Sequence, residues 1–391
     1  MSSPLSGLKV LDFSTLLPGP FASMMLADMG ADVVKVESPT RPDMLHGLAP
    51  GFKSDQRKTS YANLTINRNK RSLALNLKQP ESLSAIKKLI AEYDIVIEQF
   101  RPEVMTKLGL GYEVLSQLNP KLIYCSITGY GQTGPLKHKA GHDINYLALS
   151  GLASYSGTKE SGPVLSGTQI ADIAGGSHHA VMAILAAVIQ RSTTGKGQHL
   201  DISMTDAAFA LNAMFGAGAV GKGISPSLGD TLLNGGCFYD YYQTLDNRYV
   251  SVGGLEPQFA KGFFALIGHA DWFERSLTPD PNTQAQLKRD IKHAFAQHSY
   301  QYWLEVFADS DVCVEPVLTI EEAADSELIK ARNMVTESVV DGVNVMQIAS
   351  PIKFGHEQEK PTSAPKCGEH NDSLLSGLGF SAEQIKSMTH G

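Results

Sequence analysis

Residues 9–37 read KVLDFSTLLPGPFASMMLADMGADVVKVE, and the reading of this stretch decides the fold. KVLDF is a short, apolar, β-forming run. Leu17-Pro18-Gly19-Pro20 follows as a turn, and Pro20 suits a first helical turn, where its missing N–H would have no intrahelical partner anyway. FASMMLADMG then reads as a helix closed at Gly30, and DVVKVE (32–37) returns as a second strand. Strand, helix and strand at this spacing make a parallel βαβ unit, because parallel neighbours need a crossover and a helix supplies it.

The alternation continues outward. Strands are expected at 72–77 (SLALNL), 94–98 (DIVIE), 121–128 (KLIYCSIT) and 199–203 (HLDIS), and helices at 81–93 and 172–191. The class is therefore α/β, with a Rossmann-like open parallel sheet forming a large domain. The Gly- and Ser-rich run 216–229 reads as a linker. Beyond it, CFYDYYQTLDNRYVSVGG carries a turn at Leu245-Asp246-Asn247 between two β-like runs, and helices around 259–267 and 300–308 complete a smaller α+β domain. A last helix is expected at 381–388, after the Pro-bearing stretch 350–365.

With 391 residues, 42% of them hydrophobic and 19% charged, the chain has enough material for two packed domains. A formal net charge of -7 disfavours a general nucleic-acid binder, which needs an excess of Lys and Arg to meet phosphates. Cys125, Cys237, Cys313 and Cys367 show neither a CxxC pair nor a zinc-type spacing, and they read as reduced and structural. The opening MSSPLSGLKV lacks the basic start and apolar run of a secretory signal, so a cytoplasmic setting without membrane contact is expected. The apolar run 180–189 is too short to span a bilayer and reads as a buried core helix.

Generic catalytic signatures are missing. No GxGxxG follows the first strand, and there is no Walker A sequence and no GxSxG elbow. Gly129 to Gly134 spells GxGxxG after a later strand, but Pro135 and polar residues stand where a helix should open. Two places carry chemistry. Gly141-His142-Asp143 sets an imidazole beside a carboxylate in a loop, and Asp172 puts a carboxylate where a helix begins; alone, such an Asp is more often a helix cap than a catalyst, and such a His more often a surface or satisfied histidine than a base. Adjacent His178 and His179 cannot both ligate one metal well from a helix, and no metal is expected. The basic run Asn67-Arg68-Asn69-Lys70-Arg71, with Arg41, Lys78 and Arg101, is either a solvated face or a cradle for a phosphorylated ligand.

On LPGPFASMMLADMGADVVKVE (17–37), NKRSLALNLK (69–78), AEYDIVIEQFRP (91–102), LGLGYEVLSQLNPKLIYCSITGYGQTGP (108–135) and the run 172–207, the sequence resembles the class III CoA-transferase (CaiB/BaiF) family over almost its whole length. AGHDINYLALSG and GGLEPQF resemble the α-methylacyl-CoA racemase branch. The resemblance implies a Rossmann-like CoA-binding domain from 1–215 and 331–391, a small domain from 216–330, and two chains interlocked as rings in a homodimer. It implies His142 and Asp172 as the acid/base pair flanking the α-carbon of an acyl-CoA, with Glu256 beside the histidine. Backbone N–H groups at the start of the Asp172 helix, or in nearby Gly-rich segments, are the expected donors to the enolate oxygen. For CoA it points to Leu75, Asn76, Leu77 and Lys78 near the adenine, to Gln99, Phe100 and Arg101 on the next strand end, and to Gly141 and Asp143 beside the histidine. Arg101, Lys107, Lys70 and Arg71 are the expected phosphate partners. Ser38 stands where many relatives carry arginine, and Arg41 is the candidate for that contact. No cofactor beyond the CoA of the substrate is expected. In the transferase branch of the same family, the residue matching Asp172 is a nucleophile that forms an aspartyl-CoA thioester. The readings to be separated are thus a racemase of 2-methyl-branched acyl-CoA, a CoA-transferase, and a non-catalytic acyl-CoA-binding protein.

Overall fold

A computed structural model of the chain describes residues 3–355 and 359–389; residues 356–358 of the Pro-bearing stretch and the chain ends 1–2 and 390–391, which fall within the expected large domain, lie outside them. The opening stretch folds as expected, into β1 (Lys9–Asp12), α1 (Pro18–Asp28) and β2 (Asp32–Glu37). Gly30 closes the helix at φ +97°, a backbone conformation that a Cβ would oppose. There follow β3 (Lys70–Ala74), α2 (Pro80–Ile90), β4 (Ile95–Glu98), β5 (Ile123–Thr128), α3 (Asp143–Leu149), α4 (His179–Thr194) and β6 (His199–Ser203). The six strands form one wholly parallel sheet in the order β6-β5-β4-β1-β2-β3.

That order is the doubly wound one. Chain direction across the sheet reverses between β1 and β4, and the loops leaving the carboxyl ends of those two strands diverge to make a crevice where ligands bind in such sheets. One side of the sheet is sealed by Leu11, Val34, Leu73 and Val96 packed against Ile86, Leu89 and Ile90 of α2. The tail helix α8 (Ala382–Thr389) adds buried Ile385 and Met388 to this same core, so the end of the described chain returns to the first sheet. The carbonyl of Met388 accepts the backbone N–H of Asn76 at 2.9 Å.

Residue contacts group the chain into two units. One takes Met1–Ser150, Ser166–Ala210 and Glu327–Gly391; the other takes Gly151–Leu165 and Leu211–Ser326. The small unit thus includes a strip, Gly151–Leu165, that the sequence reading left in the large domain. Within that unit, β7 (Asp240–Gln243) and β8 (Tyr249–Val252) form the expected hairpin, joined by β9 (Val314–Pro316). Helices α5 (Pro257–Leu266), α6 (Pro281–Phe295) and α7 (Tyr300–Phe307) pack on it through Phe238, Tyr242, Phe263, Phe295 and Trp303. Phe238 and Tyr242 are therefore core, whereas Tyr239 and Tyr241 are exposed.

Two expectations are corrected. Residues 216–222 of the expected linker form a short helix, Gly216–Lys222, closed by Gly223 in the left-handed conformation at φ +71°. The expected core helix is longer and only half-buried. Ala171–Thr194 is one helical rod of 24 residues, long and apolar enough by length and composition to cross a membrane, and it is only partly buried inside the protein. It lies on β5, β6 and α1 through Ala180, Val181, Ile184 and Ala187, which leaves Met182 and Ile189 exposed. A strand pair absent from the sequence reading, β10 (Val335–Val340) with β11 (Val343–Ile348), is fastened in the large unit by Arg57, which donates to the Asp341 carboxylate and to the Ala364 carbonyl.

Candidate active site

The rod begins as a π-helical segment, Ala171–His178, before it tightens into α4. Asp172 sits in its first turn. The segment Gly175-Gly176 lets it lie close against neighbouring backbone: a Cβ on Gly175 would stand 3.2 Å from the Met204 carbonyl oxygen. Wide turns of this kind recur at functional sites because they displace one residue from the regular helical stack.

His142 precedes α3 as its N-cap, and its backbone N–H donates to Oδ1 of Asn145 at 3.0 Å. Asp143, the next residue, reaches the other element: its Oδ1 accepts the backbone N–H of Asp172 at 3.0 Å. One hydrogen bond therefore ties the His142 loop to the start of the Asp172 helix. Burial first, and then the Asp143 charge, push the Asp172 carboxyl up to about 6, with His142 opposing. A carboxyl in that range exchanges protons readily near neutral pH. The Asp172 N–H, expected among the donors to an enolate oxygen, is instead engaged by Asp143.

Behind the loop, the Tyr146 hydroxyl donates to the Gly141 carbonyl at 2.6 Å, and its ring meets Tyr130 edge-on at 5.3 Å. Burial, followed by the charge of Asp172, raises the Tyr146 phenol to about 12, so it remains a donor. Gly141 has no room for a side chain: a Cβ would lie 2.6 Å from the Tyr130 hydroxyl and 2.7 Å from the Tyr146 ring. Gly141→Ala is expected to cost about 1–3 kcal/mol by overpacking, measured by urea denaturation, and to depress turnover further by displacing His142.

The CoA candidates divide. Leu75, Asn76, Leu77 and Lys78 leave the carboxyl end of β3, and Gln99, Phe100 and Arg101 leave that of β4. Gln99 Oε1 accepts the N–H of Gly19, and Glu98 accepts the N–H of Phe100 at 2.8 Å, so this turn is anchored at the switch point. Arg41, Lys78, Arg101 and Lys107 are exposed, Lys107 with Glu103 3.9 Å away; the Leu75 side chain is core. Lys70 and Arg71 are not free for phosphates. Both belong to the amino-terminal part of β3. Arg71 pairs with Asp32 at 2.5 Å and Arg68 with Asp28 at 2.6 Å, so the basic run is mostly engaged within the protein.

Lys70 is wholly buried. It donates to the Pro20 carbonyl and Asn67 Oδ1, each at 2.9 Å, and lies 3.5 Å from Asp12. Burial, reinforced by the like charge of Lys35, pushes it down to about 7 against the pull of Asp12. Burial would raise the Asp12 carboxyl, but Lys70, Lys35 and the hydroxyls of Ser14 and Ser23 outweigh it and hold it below the ordinary range. This cluster escaped the sequence reading; a charged residue inside each of two apolar runs, Asp12 in KVLDF and Lys35 in DVVKVE, was its signal.

Elsewhere, Glu256 belongs to the small unit, exposed as the N-cap of α5. The GxGxxG of 129–134 is a turn whose Gln132 N–H donates to the Asp201 carboxylate. Cys125 and Cys237 are buried thiols, Cys313 and Cys367 exposed ones.

Comparison with known proteins agrees with this architecture. The chain is 34% identical to human alpha-methylacyl-CoA racemase, over 97% of this chain and 95% of that protein. It is also 34% identical to a succinate–glutarate CoA-transferase of Agrobacterium fabrum, over 96% of each. A CaiB/BaiF family protein from Brucella suis superposes with a TM-score of 0.84 at 29% identity, covering 97% of this chain and all of that one. Residues 5–371 match CoA-transferase family III as a whole, and with the doubly wound sheet and the Asp172 helix in place, the chain belongs to that family of enzymes.

Proposed function

We propose that this enzyme inverts the α-carbon of 2-methyl-branched acyl-CoA thioesters, as an isomerase of the α-methylacyl-CoA racemase kind. The observation that carries the reading is the Asp143 bond, which joins the His142 loop to an Asp172 held near pH 6. Inversion requires one group to take the α-proton and a second to return one to the opposite face, and His142 and Asp172 are the two candidates. The thioester lowers the acidity barrier only so far, and donors near its oxygen must hold the negative charge of the enolate. In this reading Arg41, Lys78, Arg101 and Lys107 meet the CoA phosphates, Leu75 to Leu77 and Gln99 to Phe100 its adenine side, and Gly141 and Asp143 the reacting end. The enzyme then acts as a cytoplasmic homodimer of interlocked chains, with no metal and no cofactor beyond the CoA of its substrate.

The test is solvent exchange. In D2O, a 2-methylacyl-CoA should gain one mass unit at the α-carbon, and His142→Ala should lose that exchange while still binding CoA. The second reading, transfer of CoA between carboxylic acids, has the transferase relative at 34% identity in its favour. No exchange, together with CoA transfer to a free acid and trapping of Asp172 by hydroxylamine, would establish it instead. Binding without either reaction would leave a non-catalytic acyl-CoA-binding protein.

A further inference from the structure

Ser177 is fully buried in the π-helical segment, yet its hydroxyl faces two backbone carbonyls rather than a side chain. It donates to the Pro18 carbonyl at 2.7 Å, and the same oxygen lies 3.2 Å from the carbonyl of Asp172, one wide turn back. Pro18 opens α1, at the end of the turn that leaves β1 at the switch point of the sheet. Contact between the two segments is close, since a Cβ on Gly176 would stand 3.1 Å from Cβ of Pro18.

The far side of that turn is held just as firmly. Leu16 has φ +59°, in the left-handed region that a residue with a Cβ rarely adopts. Its N–H is accepted by both oxygens of the Asp43 carboxylate, at 3.1 and 3.2 Å. Asp43 is buried and ion-paired with Lys35 at 3.0 Å, and Lys35 also donates to the Ser14 carbonyl at 3.1 Å. A turn pinned into an unfavourable conformation by a buried ion pair is a rigid reference surface. Ser177 is the hydroxyl that fastens the Asp172 turn to it.

We propose that Ser177 is a positioning residue, fixing the π-helical turn against the Leu16–Pro18 turn and thereby setting where the Asp172 carboxyl meets substrate. The inference rests on the reading of Asp172 as an acid/base group. Its logic is geometric: without the hydroxyl, Pro18 loses a buried donor and the wide turn is free to relax toward an ordinary helix, which rotates Asp172 relative to Asp143, His142 and Tyr146. Misplacement of a reacting group by about 1 Å costs about a hundredfold in rate.

The experiment compares Ser177→Ala with Ser177→Thr, which retains a hydroxyl. Expected for Ser177→Ala is a fall in kcat of about tenfold to a hundredfold with KM for the acyl-CoA changed less than about twofold, and recovery of most of it in Ser177→Thr. A second readout needs no turnover. The Asp172 carboxyl, labelled with 13C and assigned by its loss in Asp172→Asn, should titrate lower by about half a unit or more in Ser177→Ala, because a displaced carboxyl is better solvated. If Ser177→Ala loses thermal stability but keeps both kcat and the Asp172 titration, the hydroxyl is only packing and the proposal is overturned. If Ser177→Ala does not fold, Ser177→Cys, which keeps a weaker donor, carries the same two readouts. A wild-type enzyme that exchanges no α-proton overturns the racemase reading alone, and the carboxyl titration still decides the role of Ser177.

Discussion

Asp172→Asn is expected to abolish turnover and, at pH 8, to make the protein more stable. The loss of rate should be about a thousandfold or more, since a positioned acid/base group contributes about 10²–10⁴ and an amide can neither accept nor return the α-proton. The gain in stability follows from the carboxyl's titration near 6, above its ordinary 3.8. Between those two values the folded chain keeps a proton that the unfolded chain releases, so stability falls as pH rises through this window and the cost is complete above 6. Partial solvation of the side chain reduces that cost to roughly 1–2 kcal/mol, a rise in Tm of roughly 1–2 °C for the variant. At about pH 3 the difference should nearly vanish, because both states are then largely protonated. A scan of Tm against pH for the two proteins checks the sign directly; a variant less stable than wild type at pH 8 would show that the Asp172 charge is a stabilising element and not a held acid.

The largest loss of stability is expected from Asp12→Ala. Asp12 is fully buried under α1, where it accepts hydrogen bonds from the Ser14 and Ser23 hydroxyls, the latter at 2.5 Å, and faces the Lys70 and Lys35 ammonium groups. Removing one partner of a buried charge group costs about 3–5 kcal/mol, because the remaining charge stays desolvated. Lys70 would be left to its carbonyl and amide partners, and its proton should come off still more easily. Denaturation in urea would show the midpoint falling at an unchanged slope. Arg71→Ala is the contrast: its pair with Asp32 is partly solvated, and about 0–1 kcal/mol is expected.

The sheet was legible in the sequence because its inner strands, Ile95–Glu98 and Ile123–Thr128 above all, are almost continuously apolar runs and because α1 is bounded by Pro20 and Gly30. His142, Asp172 and the segments proposed to meet CoA were named from the family likeness. What was not legible is what depends on contacts between distant segments. Nothing in the order of residues says that Asp143 reaches the backbone of Asp172, or that Ser177 reaches Pro18. The π-helical turn was hidden for a related reason: it differs from an α-helix by one residue of spacing, and the adjacent glycines were its only local sign. Lys70 was misread because a basic run near a strand looks the same whether its charges face water or Asp12.

The tail has a consequence for how the enzyme is made. Asn76, in the segment proposed for the adenine side of CoA, hydrogen-bonds to Met388, and Leu75 shares its core with Ile385 and Met388. On the ribosome the first strands emerge early, yet this wall stays open until Met388 has followed them out, with the whole small unit synthesised in between. Until then an apolar strip along β3 and α2 is uncovered, and a nascent chain stalled before α8 presents that strip to chaperones or to its neighbours on the same message.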